Sequence, residues 1–183
     1  MELKEFDEFV QRQLVGLGEW DQIDWDRARE EWLRYLDLLY KEVEGFLSRY
    51  TSTGRIRIRY VSADLNDERI GAYTANRMIL QIGRQEVLLA PSGSLFMDFK
   101  GLVKVIGSAS EAVLVLAEMD RHSTLPRFAG SRTGQRTDLL QNQAVVSEKV
   151  EWVWKIMARP PERQLIELTE ESFLQLILEV SNG

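Results

Sequence analysis

The chain has 183 residues, 44% of them hydrophobic and 28% charged, with a net charge of −6 and no cysteine. That length and composition fit a single globular domain over residues 1–183 and exclude general disorder. The missing cysteines exclude thiol catalysis, disulfides and Cys-ligated zinc, and they agree with a reducing, cytoplasmic setting.

No apolar run approaches the roughly 20 residues of a membrane helix. The first residues, Met1 to Phe6, are acidic and amphipathic, unlike a secretory signal or a transit peptide. Charge is unevenly spread. Residues 1–50 carry 13 acidic and 7 basic side chains, residues 51–149 carry 10 and 13, and residues 150–183 carry 6 and 3. An acidic helical part beside a mildly basic sheet suits a basic protein partner. It speaks against nucleic acid, which needs a concentrated positive surface.

Residues 2–17 read as an amphipathic helix, because Leu3, Phe6, Val10, Leu14 and Leu17 recur at three- and four-residue steps. Gly16 and Gly18 end it. A short connector holding Trp20 and Ile23 follows. A longer helix starts near Asp24 or Asp26, either of which can cap it, and runs to Tyr50. Trp25, Trp32, Leu36, Leu39, Val43, Phe46 and Tyr50 lie along one side of it, and Leu33, Tyr35, Leu38, Tyr40 and Leu47 broaden the stripe. A stripe that wide predicts contact on two sides, with the first helix and with a sheet.

Strands follow over residues 55–118. Arg55-Ile56-Arg57-Ile58-Arg59-Tyr60 alternates apolar and charged side chains with period two, the mark of a half-buried strand over 55–61. Residues 64–68 predict a polar loop or a single helical turn. Residues 73–82 form a second strand with Met78, Leu80 and Ile82 on one face, and Gly83-Arg84 is a tight hairpin turn leading into a third strand over 85–90. Pro91-Ser92-Gly93 predicts a turn. Residues 95–99 and 102–106 are two strands or one strand bulged at Gly101, residues 107–110 turn again, and 112–118 is an apolar strand.

Residues 120–149 form a long polar loop rich in arginine, with room for a helical turn or two over 139–146. Trp152, Trp154 and Ile156 then share one face of a strand over 151–156. Residues 159–162 make a stiff turn and 164–168 the last strand. Thr169 caps a final helix with Glu170 and Glu171 in its first turn and Phe173, Leu176, Ile177 and Val180 on its buried face.

The expected fold is therefore α+β: two N-terminal helices, a mainly antiparallel, curved sheet or barrel of about seven strands, and a capping C-terminal helix. Over residues 55–183 this order of elements resembles the pleckstrin-homology-type barrel, here preceded by a helical pair. The resemblance rests on no motif and implies no binding residue.

Chemistry is harder to find. The one histidine, His122, lies in the polar loop beside Asp120 and Ser123, with no Gly-x-Ser-x-Gly elbow to complete a triad. Asp64, Asn66 and Glu68 mimic the start of a calcium loop, but Arg69 stands where that loop needs glycine and Ala75 where it needs a bidentate acid. No phosphate cradle, metal set or cofactor motif is present. Two features point to binding. Arg55, Arg57 and Arg59 place three guanidinium groups about 6.5–7 Å apart on one strand face, where they grip an acidic partner or pair with acids of a neighbouring strand or helix. Arg121, Arg127, Arg132 and Arg136 stud the polar loop. Trp152 and Trp154 read as core, with a stacking platform as the alternative.

The functional expectation is a non-catalytic protein-binding module, of the bacterial immunity or adaptor type, with Arg55, Arg57, Arg59, Arg121, Arg127, Arg132 and Arg136 facing another protein. A small-ligand or lipid-binding barrel is the alternative. A hydrolase built on carboxylates such as Asp64, Asp67, Glu68 or Asp98 comes third.

Overall fold

In the computed structural model of the chain, the described residues are 24–68, 70–96, 99–120, 150–159 and 164–182, the side chains of 94–96 excepted. The helix expected over residues 2–17, its connector and the polar loop of residues 121–149 lie outside them.

Helix α1, Trp25–Thr51, begins as its sequence asks. Asp24 caps it by accepting the main-chain N–H of Arg27 at 3.1 Å, and Asp26 sits in the first turn. Its buried face is Trp32, Leu36, Leu39, Tyr40, Val43 and Leu47. Seven strands follow in one antiparallel sheet whose spatial order is the chain order: β1 Ile56–Asp67, β2 Gly71–Ile82, β3 Gln85–Phe96, β4 Phe99–Ile106, β5 Glu111–Glu118, β6 Trp152–Met157 and β7 Leu165–Glu167. The ladder runs from β1 to β7 without returning to β1, so the described sheet is open rather than a closed barrel. Helix α2, Glu170–Asn182, ends the described chain, with Thr169 Oγ1 accepting from the N–H of Ser172 at 3.2 Å.

Both helices pack on one face of the sheet. Leu39, Val43, Met78, Leu80, Val87, Leu89, Val103, Val105, Leu114, Leu116 and Phe173 close into one apolar core, and the rings of Phe46 and Phe173 meet across the helices at 5.9 Å. Each fully buried leucine there contributes about 1.5–3 kcal/mol of transfer free energy. On the other face of β5, Val115 and Ala117 are buried as well, with Phe99 and Leu165. That explains why residues 112–117 are apolar without alternation.

Three local expectations are corrected. Residues 64–67 are strand, not a loop or helical turn: β1 pairs with β2 in unbroken register from Ile56↔Ile82 to Asp67↔Gly71. The buried face of β2 shifts from Met78 and Leu80 to Tyr73 and Ala75 along the way. With the register intact, the cause is the strong right-handed twist of a two-stranded ribbon, which turns its far half over onto α1. Pro91-Ser92-Gly93 does not turn the chain. β3 continues to Phe96, and the register with β4 slips between Pro91 and Gly93, a bulge that accommodates proline inside a strand. Gly101 is not a bulge but an ordinary β4 position, paired with Ser94 and Leu116. The hairpin at Gly83-Arg84 is as expected, with Gly83 at φ +61°.

Candidate binding site

The arginine ladder stands on the outward side of β1. Arg59 Nη2 bonds Glu86 Oε1 of β3 at 2.8 Å, a pair whose side chains are both about half exposed and which adds little stability. This is the internal pairing anticipated for the ladder, made by one of its three members. Arg55 and Arg57 are exposed beside the Gly83 turn, where they line a shallow hollow with Gly54 and Gln81. Arg121, Arg127, Arg132 and Arg136, like His122, lie outside the described residues.

The carboxylates offered for metal or hydrolytic chemistry serve the β1–β2 ribbon. Asp64 Oδ1 accepts from the Thr74 hydroxyl at 2.9 Å and Asp67 Oδ1 from the N–H of Ile70 at 3.2 Å. Asp98 lies outside the described residues. Among the described residues no group of three or more His, Cys, Asp or Glu side chains could hold a metal ion.

A larger concavity than the arginine hollow lies elsewhere, between α1 and β6. A cavity of about 590 Å³ is lined by Tyr35, Leu38 and Glu42 of α1, by Met119 and Asp120 after β5, by Trp152, Val153, Trp154 and Lys155 of β6, and by Leu165, Glu167 and Leu168 around β7. Helical spacing explains the first wall: positions 35, 38 and 42 stack one above another on a helix. They border the buried stripe rather than belonging to it, so Leu38 stays 49% exposed while Leu39 beside it is fully buried. Met119, 45% exposed, adds a second apolar side chain to the rim.

Alternation within β6 explains the opposite wall. Trp154 turns inward, its Nε1 donating to the main-chain oxygen of Tyr35 at 3.0 Å and its ring 6.0 Å from that of Trp32. The core reading of Trp154 is therefore correct. Trp152 is half-buried and packs beside Lys100, whose ammonium lies 5.1 Å from its ring and 5.5 Å from that of Tyr35 and is held by Glu31 Oε1 at 2.7 Å. Lys155 projects to the other side of the strand and is buried, with Nζ donating to the Met119 carbonyl at 2.5 Å.

Among the described residues that line this cavity, acidic side chains outnumber basic ones, with Glu42, Asp120 and Glu167 against Lys155. Partial burial pushes the Glu42 carboxyl above the usual glutamate range, because its charge is costly to hold beside apolar walls.

Met119 N–H donates to the Glu151 carbonyl, and the β5–β6 register continues through Ala117↔Val153 and Val115↔Lys155. On the other side, Ile156 pairs with Ile166, and Ala158 N–H donates to the Gln164 carbonyl. Main-chain groups alternate sides along an antiparallel strand. Val153 and Lys155 therefore point to β5, whereas Trp152 and Trp154 point towards β7. But β7 ends at Glu167, and the chain leaves the sheet at Leu168 to enter α2. The β6–β7 register runs to Lys155↔Glu167 and so brings Trp154 opposite Leu168, beside the cavity that both residues line.

Side-chain patterns did not reveal this site. Period-two alternation in 151–156 reports only which face is buried. The available signal was the width of the α1 stripe, which leaves Leu38 exposed at its margin.

No protein-family model, curated protein or solved structure matches the chain. Among the described residues, fold and site define an α+β protein with one open antiparallel sheet, two helices on one face and an apolar-walled cavity with carboxylates on its rim between α1 and β6.

Proposed function

We propose that the chain is a non-catalytic protein-binding module, of adaptor or immunity type, and that its partner docks in the cavity between α1 and β6. The observation that carries this reading is the convergence at one place of exposed apolar side chains, Leu38 and Met119, with a rim of carboxylates from Glu42, Asp120 and Glu167. Scattered exposed leucines are ordinary, but an apolar concavity ringed by charge is what interfaces use. The acidic surface of α1 beside it suits a basic partner. The likeness to the pleckstrin-homology type stays at the level of element order, and the reading does not depend on it.

A second reading rests on the size of the same cavity, about 590 Å³, which falls in the range of small-ligand sites. Native mass spectrometry of the protein isolated gently from its source cells separates the two. A stoichiometric second polypeptide, lost in Leu38→Arg while the variant keeps its fold by circular dichroism, is the expected result. An adduct of a few hundred daltons in place of a polypeptide overturns it in favour of the ligand-binding reading.

A further inference from the structure

Resting on that protein-binding reading, we infer that the cavity receives a lysine or arginine side chain of the partner, with its cationic head on the Glu42 carboxylate and its aliphatic stem along Leu38 and Tyr35. Glu42 then sets the charge of what the cavity accepts. The wall formed by α1 carries the argument. Glu31, Tyr35, Leu38 and Glu42 follow one another at steps of four, three and four residues, which sets them in one row along the helix. A carboxylate thus stands at each end of an apolar pair. The chain fills the upstream end itself. The Lys100 ammonium lies 2.7 Å from Glu31 Oε1 and over the rings of Tyr35 and Trp152, at 5.5 and 5.1 Å. A carboxylate and ring faces together hold a cation there.

The downstream end has the same parts without the cation. Among the described residues Glu42 has no ion pair, and burial alone raises its pKa. The lysines of this region are committed elsewhere: Lys41 bonds Asp37 at 2.8 Å, Lys100 bonds Glu31, and Lys155 donates to the Met119 carbonyl. Lysine and arginine lay their stems along apolar surface while the charged head keeps to a polar rim, and exposed Leu38 beside Glu42 is such a surface. Asp120 and Glu167 across the cavity add to its negative potential. A basic side chain is matched by this arrangement. An acidic one is repelled, and an apolar one covers the Glu42 carboxylate without pairing it.

Peptide titration of the full chain, followed by NMR, tests the inference. The probes are three acetylated and amidated tripeptides that carry lysine, norleucine or glutamate between two alanines. Norleucine keeps the lysine stem and lacks its charge. The lysine peptide should shift the Leu38 methyl signals and the Glu42 side-chain signals, with saturation at roughly millimolar concentration. The norleucine peptide should bind about tenfold more weakly, the loss of one close charge pair, and the glutamate peptide should not bind. Glu42→Gln should bring the lysine peptide down to the norleucine level. Glu42→Lys should reverse the order, so that the glutamate peptide binds best. Position 42 is exposed, so both variants should keep the wild-type fold, which their amide spectra check.

The inference is overturned if the lysine peptide leaves Leu38 and Glu42 unmoved, or if the norleucine peptide binds as tightly as the lysine one. It is also overturned if Glu42→Gln binds the lysine peptide as well as wild type does. These failures are distinct from failure of the binding-module reading. A native partner that is lost in Leu38→Arg but kept in Glu42→Gln removes the cation site and keeps the module. An adduct of a few hundred daltons in place of a polypeptide removes the module itself.

Discussion

A Cβ placed on Gly101 would lie 2.0 Å from Cζ3 of Trp32, so position 101 is glycine because an indole ring occupies the space of its side chain. The ring cannot retreat cheaply. Its Nε1 donates to the Tyr73 hydroxyl at 3.1 Å, and its other side meets Trp154. Gly101→Ala should therefore cost about 1–3 kcal/mol, the usual range for overpacking a filled core, read as a lower urea midpoint with an unchanged slope. Gly101→Ala combined with Trp32→Leu should recover part of that loss, since the shared contact couples the two sites. In sequence this glycine looked like punctuation, a candidate bulge. Nothing local distinguishes a glycine that bends a strand from one that admits a ring from a helix 69 positions earlier in the chain.

At the scale of elements, what was readable tracks where a single face is buried. The buried residues of α1 fall within its expected stripe and those of α2 on its expected face, because packing on the sheet leaves the 3.6-residue period intact, while the expected contact of α1 with a first helix lies outside the described residues. The cap at Asp24 was readable for the same local reason, and it carries a prediction. Asp24→Ala removes the acceptor for the Arg27 N–H and a negative charge at the positive end of α1, and should lower stability by about 1 kcal/mol, whereas Asp24→Asn should be nearly neutral. Chemical denaturation of the two variants side by side checks it. The far half of the β1–β2 ribbon was not readable: Asp64, Asn66 and Asp67 resemble a loop, and only long-range twist makes them strand. The candidate site failed to show for a related reason. The cavity is a property of α1 and β6, brought together from distant parts of the chain, and neither element's own pattern contains it. Of the arginines expected to face a partner, Arg59 is engaged with Glu86 and Arg55 and Arg57 lie beside the Gly83 turn, away from the cavity.

At the scale of the whole molecule, α1 is fastened to the β1–β2 ribbon largely through tyrosines, and this fixes how the protein should respond to alkali. The Tyr40 hydroxyl donates to the Asn76 carbonyl, the Tyr60 hydroxyl donates to Glu44, and the Tyr73 hydroxyl accepts from Trp32. Tyr40 and Tyr60 also pack ring to ring at 5.7 Å. Burial raises the pKa of all three above the usual tyrosine range, and for Tyr60 the bond to the Glu44 carboxylate raises it further. A raised pKa means that the folded state keeps its proton after the unfolded chain has lost it. Stability from this source is complete below the ordinary tyrosine value of about 10 and is lost as pH rises above it, since the unfolded state then binds fewer protons. Urea midpoints should thus be flat from neutral pH to about pH 9 and fall steeply beyond about pH 10. Tyr40→Phe should be less stable at neutral pH by about 1 kcal/mol, the worth of its hydrogen bond, yet should lose less on going to alkali, because one of the three linked protons is gone. Equal losses in Tyr40→Phe and wild type would mean that the proton on Tyr40 is not what couples α1 to the ribbon. The cavity wall formed by Tyr35, Leu38 and Glu42 belongs to that same helix, so loosening of this seam by alkali should weaken partner binding in step with stability.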